Sequence, residues 1–284
     1  MPPLPDRTLL RQVVLAVSVL DDVDLDPTDE GVVLRTPTGR AVPVAWPEIR
    51  RALAGFEDDA EVAHRRVATW LQGRVIVTEH DAEDLRQRAR PVGYPVDDPL
   101  HPGLDWVRQR VLGNVLDLGV GFVGVGEDPD DVVALPQGCL DAGGVDPAPW
   151  WPVVVDYLER MGAVAAERLL TPGTTTLKPI GDCDVVTLLG SRVLRVALCA
   201  EDGTGMRAAA VPMRRRGWLD LSRIDPAFTV AAAAATDGAD RGFPRPLLLT
   251  ADEVALAPAG GRPAEIELRD AAAVTPHLRN VLYR

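Results

Sequence analysis

Residues Gly119 to Asp131 read GVGFVGVGEDPDD and contain G-x-G-x-x-G at Gly119, Gly121 and Gly124, directly after the apolar run VLDL. A dinucleotide loop must open a helix, so that its unpaired N–H groups and positive end meet the pyrophosphate, and an acid should follow about 20 residues on. Here Gly124 leads into VGEDPDDVV, where Pro129 and the carboxylates of Glu127, Asp128, Asp130 and Asp131 oppose a helix start and repel phosphate. Glycines alternating with Val120, Phe122 and Val125 instead fit a strand that meets a neighbour closely and turns at Glu127 to Asp131. The stretch therefore belongs to a sheet, no cofactor is implied, and Gly121 and Gly124 are expected in extended backbone.

Upstream, Leu9, Leu10, Val13, Val14 and Val17 recur at helical spacing, and GVVLRTPTGRAVPVAW is a hairpin turning at Pro37 to Gly39. Pro47 opens a short helix, EIRRALAGF, and EVAHRRVATWLQGRV places Val62, Val67, Trp70 and Leu71 on one helical face. Downstream, DVVALPQ is a further strand, and PWWPVVVDYLERMGAVAAERLL is a long helix with Trp151, Val154, Val155, Leu158, Met161, Ala165 and Leu169 on one stripe, ended by Gly173. From Thr174 on, the apolar runs DVVTLLG, RVLRVALCA, RAAAVPM and PLLLT between Gly, Pro and Asp turns are expected to form strands of a mostly antiparallel sheet, and Ala231 to Ala235 a small-residue helix. The expected fold is α+β: two packed units, mostly antiparallel sheets with helices on one face. Residues 1–77 form the first unit, the polar, proline-bearing stretch 78–103 a linker, and residues 104–284 the second.

The chain of 284 residues is 46% hydrophobic, enough to bury a sizeable core, and carries a formal charge of −12 from 42 acidic against 30 basic residues. That field repels phosphate backbones and anionic lipid, so a nucleic-acid partner is not expected. The only lysine is Lys178, and the Ala, Val, Pro, Gly and Arg bias points to a GC-rich bacterial source. The first residues lack the basic start of a secretory signal, and no apolar window reaches the ~18 residues that span a bilayer. Cys139, Cys183 and Cys199 are odd in number and widely spaced, as reduced buried thiols in the cytoplasm would be.

The sites that chemistry would need are weakly drawn. Asp22, Asp24 and Asp26 alternate as in an EF-hand, but Pro27 and Val33 occupy the positions of its glycine and bidentate glutamate. His64, His80, His101 and His277 show no paired metal-ligand spacing with each other or with the cysteines, so no metal is expected. Asp182 and Asp184 flank Cys183 and would blunt it as a nucleophile, and Ser18, Ser191 and Ser222 lack a nucleophile elbow, so no catalytic residue is assigned. Two features point to contact with another protein chain. Arg214, Arg215 and Arg216 beside Trp218 form a basic cluster suited to carboxylates, and Trp150 and Trp151, about 100° apart on a helix, cannot both face one core.

The layout as a whole resembles the YtpQ-like family of uncharacterised bacterial cytosolic proteins. The resemblance rests on the opening helix, hairpin and WPEIRRAL, then VGYPV, the strand pair with its acidic turn leading into WWPVVVDYLERMGAVAAERL, then DVVTLLG, and a late V-P-x-R strand at Val211, Pro212 and Arg214. It implies an α+β fold and no established activity. The expectation is a non-enzymatic binding module, such as an adaptor, chaperone-like, immunity or assembly component, of unstated oligomeric state. The alternative is a carboxylate or metal-dependent hydrolase or transferase built from Asp117, Glu127, Asp182 or Asp184.

Overall fold

The computed structural model describes residues 7–54, 58–98, 101–103, 105–126, 128–171, 174–200, 204–219 and 240–256. They form an α+β fold whose sheets are antiparallel, with eight α-helices and twelve strands among the described residues. Two compact units share the chain, and both are discontinuous. Unit 1 comprises Met1–Arg90, Pro102–Val107 and Val120–Pro152; unit 2 comprises Pro91–His101, Arg108–Gly119 and Val153–Arg284.

Unit 1 begins with α1 (Arg7–Leu20), which buries Leu10, Val13, Val14 and Val17. The acidic loop then becomes a short strand, β1 (Leu25–Pro27), paired with β2 (Gly31–Arg35), and Arg35 lies near Asp24 and Asp26. β2 pairs in turn with β3 (Ala41–Ala45) across the expected turn. Trp46 and Pro47 start α2 (Trp46–Leu53), whose Glu48 side chain accepts from the Ala45 amide, and Asp59 caps α3 (Ala60–Glu79). α3 is the hub of the unit, packing on α1, α2, β2, β3 and α5 (Gln137–Ala142) through Ala63, Val67, Trp70, Leu71, Ile76 and Val77.

Segment 78–103, read from sequence as a linker, carries the end of α3, all of α4 (Ala82–Arg88) and β4 (Ala89–Pro95). The GVGF stretch lies in β6 (Leu116–Val123), buried along nearly its whole length. Its Leu116–Gly119 half belongs to unit 2, where it pairs with β5 (Arg108–Leu112), and its remainder to unit 1, where it pairs with β7 (Val132–Val133). Gly121 is extended as expected. Gly124 is not: it takes a φ of +69° in the turn after β6, and its amide faces the Asp131 carbonyl at 3.4 Å. The chain thus begins to turn at Gly124, ahead of the expected Glu127 to Asp131. DVVALPQ supplies only the two residues of β7 before α5 begins.

In unit 2 the strands β8 (Thr176–Leu177), β9 (Met206–Met213), β10 (Arg216–Trp218), β11 (Leu247–Thr250) and β12 (Val254–Leu256) form one sheet in the order β12-β11-β9-β10-β8. RAAAVPM and PLLLT are strands, as expected. DVVTLLG and RVLRVALCA are not: they form α7 (Val185–Leu188) and α8 (Arg192–Ala200). Asp184 caps α7 by accepting from the Thr187 amide, and α8 buries Leu194, Arg195, Leu198 and Cys199 at helical spacing, which overrides the strand-like look of short apolar runs. The alanine run at 231–235 and Gly173 lie outside the described residues.

The long helix α6 (Trp151–Leu169) holds the start of α8. Glu159 accepts from the Ser191 hydroxyl at 2.6 Å and from the amides of Arg192 and Val193, each at 2.9 Å, while the Ser191 hydroxyl accepts from the Leu194 amide. Three of the four donors orphaned at a helix start are thus satisfied by side chains. Gly162 makes the approach possible, since a Cβ there would lie 1.9 Å from Ser191 Oγ. Replacing Glu159 by Ala should lower unfolding free energy by about 1–2 kcal/mol in urea denaturation, and Gly162→Ala should cost more than a surface alanine substitution.

Candidate functional site

The polar centre of unit 2 is built around the β9–β10 hairpin. Met213 pairs with Arg216, which leaves Arg214 and Arg215 as the two turn residues, with opposite fates. Arg215 is 78% exposed with Asp240 at 3.8 Å, whereas Arg214 turns inward with 13% of its side chain exposed. Its guanidinium donates to Asp184 and to the Gly93 carbonyl at 2.9 Å, has Asp98 at 3.7 Å, and stacks 4.6 Å from the centre of the Tyr94 ring. Burial alone would lower its pKa, but Asp184, Tyr94 and Asp98 together raise it above the ordinary guanidinium value. The same residues tie the backbone: the Val185 amide donates to the Arg214 carbonyl, and the Gly93 amide to the Thr187 hydroxyl.

Tyr94 also meets His101, with ring centroids 6.0 Å apart in an edge contact. His101 Nε2 and the Arg108 guanidinium converge on one oxygen, Oδ2, of Asp117, a carboxylate with no exposed surface. The second oxygen, Oδ1, is buried without a hydrogen-bond partner. Burial pushes the His101 pKa below the usual imidazole value and Arg108 adds to that, against the opposing pull of Asp117 and Asp98. The imidazole is therefore neutral at neutral pH and donates to Asp117 as an N–H group.

Of the carboxylates considered for metal chemistry, Asp117, Asp182 and Asp184 each bond to different partners. Asp117 holds His101 and Arg108, Asp184 holds Arg214 and the start of α7, and Asp182 accepts from the Tyr157 hydroxyl at 3.1 Å. Glu127 lies outside the described residues, as do Ser222 and His277. Among the described residues no three His, Cys, Asp or Glu side chains are placed to hold a metal ion. All three cysteines are buried, and burial pushes the Cys139 thiol up to about 12 in spite of Arg74. His64 contacts Asp21 at 3.1 Å, and His80 pairs with Asp84 on the next turn.

The two tryptophans are both half-buried. Trp150 meets Phe122 edge to face, 6.2 Å between centroids, and Trp151 opens α6. Trp218, with Arg216 over its ring at 5.9 Å, lies on a surface the sequence did not single out. In the five-stranded sheet, Leu248 pairs with Ala208 and Ala255, Thr250 with Met206, and Trp218 with Ala210, so all of these share one face. The opposite face carries buried Leu247, Leu249, Ala209, Val211 and Val254, with α7 and α8 packed on β9 and α8 on β11. Outward positions of such a strand are ordinarily polar. Here they are Met206 (43% exposed), Ala208, Leu248 (38% exposed) and Ala255, while Ala210, on the same face beside Trp218, is buried. The alternation in RAAAVPM and PLLLT was the available signal, since every outward position except Thr250 is apolar.

No protein-family model, no curated protein and no solved structure matches this chain. No helix among the described residues is long and apolar enough to cross a membrane.

Two outcomes follow from the burial of these groups. Arg214→Ala removes the cation beside the carboxylates of Asp184 and Asp98 and should cost about 3–5 kcal/mol in chemical denaturation, whereas Arg215→Ala should stay within about 0.5 kcal/mol of the parent. In the native protein at pH 8, Cys139 should resist a thiol-specific chromogenic reagent and react promptly once denaturant is added.

Proposed function

We propose that the chain is a non-enzymatic protein-binding module, an adaptor or chaperone-like component of a bacterial cytosolic system, whose contact surface is the outward face of the unit 2 sheet. The observation that supports this reading is the apolar row Met206, Ala208, Leu248 and Ala255, extended by Trp218. A face of this kind is stabilised when a second chain covers it. Arg215 and Arg216 border it at the β9–β10 turn and suit a partner whose apolar patch is rimmed by carboxylates. Arg214 supports the turn from within, and Trp150 and Trp151 form a second contact in the proposal. The scattered internal pairing of Asp117, Asp182 and Asp184 weighs against the carboxylate-enzyme reading. Membership of the YtpQ-like family belongs to the same proposal and brings no catalytic residue with it.

The test is site-specific photo-cross-linking in the native host, with benzoylphenylalanine in place of Leu248. A single recurrent adduct with another chain is expected, lost when Met206→Glu is added while the circular dichroism spectrum is kept. Recovery of the chain as an unlinked monomer, or an adduct indifferent to Met206→Glu, would contradict the proposal.

A further inference from the structure

We propose that His101, Asp117 and Arg108 form an acid-sensitive clasp inside unit 2, closed by neutral His101 and opened when the ring takes up a second proton. The geometry carries the argument. Two nitrogen groups converge on the single oxygen Oδ2 of Asp117, one of them a permanent guanidinium, and the imidazole is only 10% exposed. A neutral ring tolerates this, because it brings one N–H donor and no charge. A protonated ring would place a second cation beside Arg108, in surroundings that offer little water to solvate it.

Four neighbouring groups among the described residues bear on the ring. β4 contributes Tyr94, on whose ring Arg214 stacks; the segment after β4 contributes Asp98; β5 contributes Arg108; and β6 contributes Asp117. Asp98 and Asp117 favour the protonated ring, yet Asp117 is already paired with Arg108, and Asp98 lies by Arg214, which Asp184 also holds. Burial and Arg108 outweigh them, and the pKa of His101 falls.

The sign of the pH effect follows. With the closed-state pKa below the open-state value of about 6.5, the open form binds more protons between the two, so closure weakens as pH falls through that window. Above the window it is at full strength. When the ring leaves, Asp117 and the edge of Tyr94 lose the cover it provides. The bonds most directly released are those of the Val96 amide on the Val115 carbonyl, the Asp98 amide on the Pro95 carbonyl and the His101 amide on the Asp98 carbonyl. This device is independent of the proposed binding face.

The experiment is an NMR titration of the histidine rings of the intact chain, with amide hydrogen exchange across the same pH range. His101, identified by the signal missing from His101→Gln, should titrate below about 6.5. Exchange at Val96, Asp98 and His101, corrected for intrinsic rate, should quicken by up to about tenfold per pH unit within the window. In His101→Gln, which keeps a donor for Asp117 but cannot titrate, that pH dependence should vanish. Arg108→Gln should move the His101 midpoint upward, a readout that survives even if the glutamine variant fails to fold. A midpoint at or above 6.5, exchange equally pH-dependent without His101, or no upward movement in Arg108→Gln would overturn the clasp.

Discussion

A guanidinium removed from water must be surrounded by acceptors and anions; Arg195 meets that need with the Leu189 and Ala251 carbonyls, whereas Arg214 meets it with groups drawn from several elements. Its partners come from β4 (Gly93 and Tyr94), the segment after β4 (Asp98) and the cap of α7 (Asp184). Meeting one cation's needs thus fixes where β4, α7 and the β9–β10 turn lie within unit 2. The backbone bonds from Val185 to Arg214 and from Gly93 to Thr187 follow the same alignment. A buried pair of this kind adds little net stability over an apolar replacement, but it penalises every arrangement that leaves one member alone. Its contribution is to specify the arrangement.

The same logic explains how an acidic chain keeps carboxylates in its interior. Asp117 and Asp98 are both buried, and each lies next to an arginine brought from elsewhere in unit 2. Neutralised inside, the unit presents a different chemistry outside: apolar outward strand positions, with Arg215 at the hairpin tip. The adjacent arginines 214 and 215 therefore separate by direction, one organising the interior and the other facing solvent.

Much of the secondary structure was legible because it rests on local chemistry. The hairpin turning at Pro37 to Gly39, the helix opened by Pro47, and the apolar stripes of α1, α3 and α6 all follow from spacing and from turn or capping residues. Short apolar runs were ambiguous: DVVTLLG and RVLRVALCA became helices because Asp184, Ser191 and Glu159 satisfy their first amides, and Glu159 lies over thirty residues away. The polar centre was illegible for a related reason. Arg214 and Gly93 are 121 residues apart, so no local motif records their contact, and the basic triplet looked like a single surface cluster. Gly124 shows the limit of glycine patterns, since the same residue serves a strand or a positive-φ turn equally well.

The most direct measurement of whether Arg214 organises unit 2 is a double-mutant cycle between Arg214→Met and Asp184→Asn, read by chemical denaturation. A coupling of about 1–3 kcal/mol is predicted, with the double variant less destabilised than the sum of the single ones. A coupling near zero, with both single variants close to the parent, would mean that Arg214 is a surface residue and that the fold does not depend on it.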